Sequence, residues 1–196
     1  MNSLDEITTR LAASASSLER PEDATGLRAA VAALLRRGAT NDQPEILFIK
    51  RAERPGDPWS GHMAFPGGRR QATDATLVQT ATRETLEEIG LDLEAGARVV
   101  GRLPDVAPYS RMEHPLTVSA FVFVLERAPR LVLNAEVAEA IWAPLEPVLR
   151  GEPATRFRWK RDGMDLDLPA LDVSGHVVWG LTYRMVELLR EAITPR

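Results

Sequence analysis

Three acids near the middle of the chain, Glu84, Glu87 and Glu88, stand at i, i+3 and i+4. On a helix that spacing gathers the carboxylates within an arc of about 100°. Val78, Thr82, Thr85, Leu86 and Ile89 fall on the opposite side, where a core is expected to cover them. Three close anions raise one another's pKa unless positive charge stands among them. A hard, oxygen-seeking cation such as magnesium meets that need and commonly binds together with phosphate groups. A solvated acidic face would show the same spacing, so the preceding residues matter. Phe65-Pro66-Gly67-Gly68 reads as a turn, and Gly61 to Phe65 before it as a short strand. Asp74 reads as the N-cap of a helix from about Ala75 to Ile89, stopped by Gly90. A glycine turn thus leads into a helix whose last turns carry the acids.

The elements around this segment read in chain order. Leu4, Ile7, Leu11 and Leu18 describe an amphipathic first helix broken at Ala12 to Ser17. Strands are expected at Arg28 to Leu35, Ile46 to Ile49, Ala97 to Leu103, Leu116 to Leu125 and Val137 to Trp142. The Ile46 run is apolar enough to be central. Pro144 to Leu149 predicts a short helical stretch. Phe157 to Arg161 and Met164 to Leu168 predict a hairpin turning at Asp162-Gly163. Leu181 to Ile193 closes the chain as a helix with Met185, Leu188 and Leu189 inward. Arg36 to Pro44, Arg54 to Ser60 and Pro104 to Pro115 read as loops. The expected division is a helical segment, 1–27, packed on one domain, 28–196.

Composition bounds the function. Apolar residues make 44% and charged residues 27% of the 196 residues, which sets the chain among globular proteins. The net charge of −4 argues against a generic nucleic-acid surface. The absence of cysteine excludes disulfides, thiol catalysis and thiolate-bound zinc. No apolar run has membrane-spanning length and no hydrophobic secretion segment opens the chain, so a cytoplasmic location and no membrane partner are expected.

The glycine turn and acidic helix resemble the Nudix box, G-x5-E-x7-R-E-U-x-E-E-x-G-U. Here it reads Gly68-Arg69-Arg70-Gln71-Ala72-Thr73-Asp74, a spacer, then Arg83-Glu84-Thr85-Leu86-Glu87-Glu88-Ile89-Gly90-Leu91. Asp74 replaces the first glutamate, eight residues rather than seven precede Arg83, and Thr85 stands at an aliphatic position. The longer spacer is typical of a branch resembling coenzyme A pyrophosphatases. Phe48 to Arg54 with Gly61 to Gly68, and His176 to Thr182, resemble that branch too, although the insertion Pro55 to Ser60 is longer than usual. The likeness runs over residues 28 to 192. It implies an α/β fold, an α/β/α sandwich with a mixed sheet in a single domain.

The resemblance implies magnesium, or manganese, held by Glu84, Glu87 and Glu88 with the Gly68 carbonyl as a further ligand. One of the acids would serve as general base. Glu84, Glu87 and Arg83 are the expected catalytic set, Arg83 orienting a carboxylate through its planar fork. The expected reaction cuts the pyrophosphate of coenzyme A or acyl-coenzyme A to 3′,5′-adenosine bisphosphate and (acyl-)4′-phosphopantetheine. ADP-ribose, a dinucleotide or a nucleoside triphosphate are the alternative substrates, and a silent nucleotide-binding domain the alternative of another class. Arg51, Arg54, Arg69 and Arg70 are the expected basic rim for the 3′-phosphate. Trp59 and Tyr109 would stack on adenine or plug the surface, and Trp142 and Trp179 belong to the core. His62 and His114 read as structural hydrogen-bonding groups, with contact to phosphate or base as the alternative. Glu136, with Glu113 as rival, would be a late acidic ligand. A monomer or homodimer is expected.

Overall fold

The computed structural model describes residues 3–14, 17–38, 43–56, 59–108, 116–161 and 163–194. The expectations for Tyr109, Arg111, Glu113 and His114 lie outside them. In chain order the elements are α1 (Leu4–Ser14), β1 (Arg28–Arg37), β2 (Pro44–Arg51), β3 (Met63–Ala64), β4 (Gly67–Arg69) and α2 (Leu77–Ile89). They continue with α3 (Leu93–Gly96), β5 (Ala97–Arg102), β6 (Thr117–Leu125), β7 (Val137–Pro144) and α4 (Leu145–Arg150). The last are β8 (Ala154–Arg161), β9 (Met164–Val173), β10 (His176–Trp179) and α5 (Gly180–Ile193).

Alternation along the central strands builds two cores on two faces of one sheet. From β1, Ala30, Ala32 and Leu34 point to one face, and Ala29, Ala33 and Leu35 to the other. β2 sends Leu47 and Ile49 to the first and Ile46 and Phe48 to the second. The first face meets Leu77, Ala81 and Ile89 of α2. The second meets Leu4, Ile7 and Leu11 of α1, Leu145 and Val148 of α4, and Met185 and Leu189 of α5. This is the expected α/β/α sandwich. The sheet is mixed because β1 and β6 run parallel, whereas the other pairs are antiparallel.

The sheet is split in the middle. β1 pairs with β2 only through Leu35 to Arg37, and with β4 through Ala29 to Val31. β2 in turn pairs with β3 through Ile49 and Lys50. The turn between β3 and β4 is therefore wedged between two diverging strands. Ala32 N donates to Pro66 O at 2.8 Å to fix it there. Gly67, at φ 150°, lies so close to Ala30 and Val31 that a Cβ would collide with backbone. The mixed sheet and this turn set the floor of the site.

Three details depart from the sequence reading. The predicted hairpin forms, as β8 and β9, but with β10 it makes a second, three-stranded sheet. Trp179 is not in the core: it is half-buried and stacks on Phe157. Trp142 packs on the edge of the α2 core with Arg36 4.0 Å over its ring.

Beside the first strand lies a buried ion cluster that the sequence did not reveal. Arg102, with a side chain 0% exposed, donates to Asp23 at 2.6 Å and to Asp105 at 2.9 Å. Arg28 reaches the same two acids at 2.8 and 2.7 Å, and Ser119 Oγ donates to Asp105. The cluster ties the turn at Pro21–Ala24 to the ends of β1, β5 and β6. Removing one charge from such a group leaves its partners buried and unpaired. Arg102→Ala is expected to cost about 3–5 kcal/mol in urea unfolding. A loss below about 1 kcal/mol would show the acids to be solvated instead.

Candidate active site

The acidic helix does not start where the short side chain of Asp74 marked it. Thr76 is the N-cap, accepting from Gln79 N at 3.1 Å, and the Gln79 side chain accepts from Ala75 N at 2.8 Å. This is a near relative of the capping box, shifted by one residue. Gly90 ends the helix at φ 67°, as expected, its N–H donating to Leu86 O at 3.0 Å.

The covered arc of α2 also differs from the expectation. Leu77, Thr80, Ala81, Thr85, Glu88 and Ile89 are buried, and Leu86 is exposed. At about 100° per residue, Glu88 stands in the middle of that arc and Leu86 opposite. The helix is rolled by about a quarter turn toward its acids. Glu88 is only 3% exposed and accepts from Gly67 N at 2.9 Å. Glu84 is half-buried against the turn, where a Cβ on Gly68 would stand 2.6 Å from its carboxyl carbon. Glu87 is exposed. The three acids thus occupy three different environments.

Asp74, freed from the capping role, holds Arg83. Arg83 Nε and Nη2 donate to the two Asp74 oxygens at 2.9 Å each. Nη1 donates to Glu84 at 2.9 Å and to Glu87 at 3.1 Å, and Nη2 also to Arg69 O at 3.1 Å. Asp74 further accepts from Gln71 N and Thr80 Oγ1 at 2.9 and 3.0 Å. One guanidinium so connects the loop after β4 with two acids of α2. Its hydrogen bonds, outweighing burial, hold Asp74 down at about 2.

The electrostatics of the glutamates run the other way. Burial raises Glu88 to about 7; Glu84 and Glu136 push it further up, while the Gly67 N–H and Arg51 oppose. Glu84 is also raised, first by burial, with Glu87 and Glu136 adding and Arg83 opposing. Glu136, immediately before β7, therefore adds negative charge near both acids. Ala52 N donates to its carbonyl at 2.8 Å, which brings the ends of β2 and β7 together there.

The four arginines of the expected rim divide. Arg51, at the end of β2, is half-buried and acts on Glu88. Arg54 is exposed and pairs with Glu136 at 3.1 Å. Arg69 is exposed at the end of β4. Arg70 faces elsewhere: its guanidinium donates to the carbonyls of Asp23, Asp74 and Ala75 at 2.7 to 3.2 Å, so it braces the loop. Trp59 is exposed and His62 packs edge-on against Trp179 at 4.8 Å.

The donor set is all oxygen and carries crowded negative charge, which fits a hard divalent cation. Gly68 leaves the space before Glu84 without a side chain. Yet among the described residues no three acids or histidines already converge as a metal cluster. The reason is geometric: Arg83 holds Glu84 and Glu87, and Glu88 is turned onto Gly67.

A family model described as the NUDIX domain matches residues 26–164. The chain belongs to the Nudix family. Among its relatives, an uncharacterized protein of Schizosaccharomyces pombe is 46% identical over 119 residues, covering 59% of this chain and 36% of that one. The mitochondrial coenzyme A diphosphatase NUDT8 of Homo sapiens is 31% identical over 154 residues, 78% of this chain and 64% of its own. The chain thus spans about a third to two-thirds of these two relatives' length. The NUDIX domain of Shewanella oneidensis NrtR, solved with ADP ribose, shares the fold at TM-score 0.57 and 19% identity over 90% of this chain and 94% of that one. Among the described residues no helix is long and apolar enough to cross a membrane.

The Asp74–Arg83 clamp predicts an acid-sensitive contribution to stability. Asp74 lies below its usual 3.8, so the contribution is full above 3.8 and is lost as pH falls through about 2. At about 1.4 kcal/mol per unit it amounts to about 2 kcal/mol. Asp74→Asn is expected to unfold that much more easily in urea at neutral pH, with the gap to wild type closing on acidification. A gap independent of pH would assign the loss to packing.

Proposed function

We propose that this Nudix chain hydrolyses the pyrophosphate bond of a nucleoside diphosphate joined to a second group, of the ADP-ribose or dinucleotide class, with a divalent cation. The observation that carries the reading is the glycine turn against the acidic helix: Gly67 N donates to Glu88, Gly68 leaves open the space before Glu84, and Arg83 holds Glu84 and Glu87 together. Glu84, Glu87 and Glu88 would hold the cation, with the Gly68 carbonyl beside them. When bound, magnesium or manganese neutralises phosphate oxygens and acidifies a bound water.

The chain's own groups have separate tasks in this reading. Arg83 orients Glu84 and Glu87, and Asp74 orients Arg83. Glu87, exposed on α2, would take the proton of the attacking water. Glu88, fixed on Gly67 N, keeps the acidic turn of the helix against the glycine loop. Arg51 and Arg69 provide positive charge for the phosphates of the substrate, and Arg54 does so once it leaves Glu136.

Coenzyme A or its acyl derivatives, cut to 3′,5′-adenosine bisphosphate and (acyl-)4′-phosphopantetheine, are the second reading. The similarity to human NUDT8 across 78% of the chain favours it. A panel of ADP-ribose, dinucleotides, coenzyme A and nucleoside triphosphates with magnesium and with manganese separates the readings, with both products identified by mass. Cleavage of coenzyme A alone would select the second, and no cleavage of any would refute both. Glu87→Gln is expected to lower kcat by about 100-fold or more, the scale of a lost general base, with an unchanged melting temperature. Activity within about threefold of wild type would remove Glu87 from the chemistry.

A further inference from the structure

Phe157, Trp159, Trp179 and His62 are half-buried and belong to neither core. Phe157 and Trp179 stack at 4.0 Å and 17°, and His62 meets Trp179 edge-on at 4.8 Å and Phe157 at 6.3 Å. On β8 the residues alternate: Arg156, Arg158 and Lys160 are exposed, while Phe157 and Trp159 form the apolar side. Leu166, across from Trp159 on β9, is 43% exposed. A row of aromatic residues thus runs from His62 outward along the hairpin. Trp179 and most of β9 lie beyond residue 164, where the family match ends.

Its inner end abuts the candidate active site. Arg51 N donates to His62 O at 3.0 Å, and the Arg51 charge acts on Glu88. His176 of β10 bridges to Glu139 of β7 at 3.2 Å, and Glu139 stands opposite Lys50 in the sheet. Thr182 donates to Met63 O at 3.1 Å. The first contact holds β10 to β7 beside the end of β2, and the second holds the start of α5 to β3. Half-buried aromatic rings next to phosphate-directed cations are complementary to a nucleotide, whose base is planar and whose phosphates are anionic.

We propose that this aromatic surface, built on Phe157 and Trp179, stacks the nucleobase of the substrate, so that the second sheet decides which nucleotide half is accepted. The proposal rests on the hydrolase reading for its substrate, but its test does not. Phe157 and Trp179 act as binding residues, with the base lying along the rings and the diphosphate directed past Arg51 toward α2. A long apolar chain would use the same surface without regard to the base.

The experiment is calorimetric titration of the full chain, with magnesium, by ADP and by inorganic pyrophosphate. Phe157→Leu is expected to weaken ADP by about 10-fold or more, the scale of one lost base stack, and to leave pyrophosphate unchanged. Phe157→Tyr, which keeps the ring, is expected to restore ADP. Should Phe157→Leu fail to fold, quenching of tryptophan fluorescence by ADP, lost in Trp179→Phe, carries the same test in an intact hairpin. Equal weakening of ADP and pyrophosphate, unchanged ADP binding, or no ADP binding by the wild type would overturn the proposal. So would affinity for acyl-coenzyme A that rises with acyl length and falls in Phe157→Leu. Failure of the hydrolase reading appears separately, as absence of turnover in the substrate panel.

Discussion

Arg83 is the charge on which the acidic helix depends. Its fork reaches Asp74 with two nitrogens and Glu84 and Glu87 with the third. Without a cation there, two carboxylates one turn apart on α2 would repel each other and the Asp74 loop would lose its anchor. A lysine would supply the charge but not the planar geometry that satisfies three acids at once. The same contact explains why Asp74 suffices where the family pattern has glutamate. The shorter side chain sits in a tight loop, braced by Gln71 N, Thr80 and the Arg70 guanidinium on its carbonyl.

The wedge of the glycine turn is the second constraint. β1 and β2 must diverge for the turn to enter, and Gly67 fits only because it lacks a side chain. Its N–H is then available to a carboxylate, and Glu88 takes it from inside the structure. Burying that acid is costly by itself. Here one hydrogen bond and the nearby Arg51 charge only partly offset the burial, which is why Glu88 stays near 7. The site concentrates negative charge that the protein alone does not balance.

The second sheet stands apart from both constraints. It is tied to the domain by Leu171, Val173 and Val178 in the core, by the contact of His176 with Glu139, and by β10 leading into α5, whose Thr182 donates to Met63 O. Leu171 and Val173 of β9 and Val178 of β10 join the core under α5, while Phe157, Trp159 and Trp179 belong to neither core. The turn and α2 provide the acids, and the second sheet carries the aromatic residues Phe157 and Trp179.

Periodicity and punctuation determined much of this from sequence alone. The alternating strands, the β8–β9 hairpin, the stop at Gly90 and the i, i+3, i+4 acids are local patterns, written within a few residues. The tertiary structure decided the roll of α2, which exposes Leu86 and buries Glu88, because a carboxylate found its donor on a turn about twenty residues earlier. It likewise decided that Asp74 grips Arg83 while Thr76 caps, and that Arg70 braces a loop. The partners of Asp23, Arg28, Arg102 and Asp105 are separated by up to 91 residues, so no local pattern announces their pairing; an arginine and an aspartate flanking the apolar end of β5 were the sole trace. Local spacing is set by the chain's own geometry, whereas partnership across the fold depends on which surfaces meet.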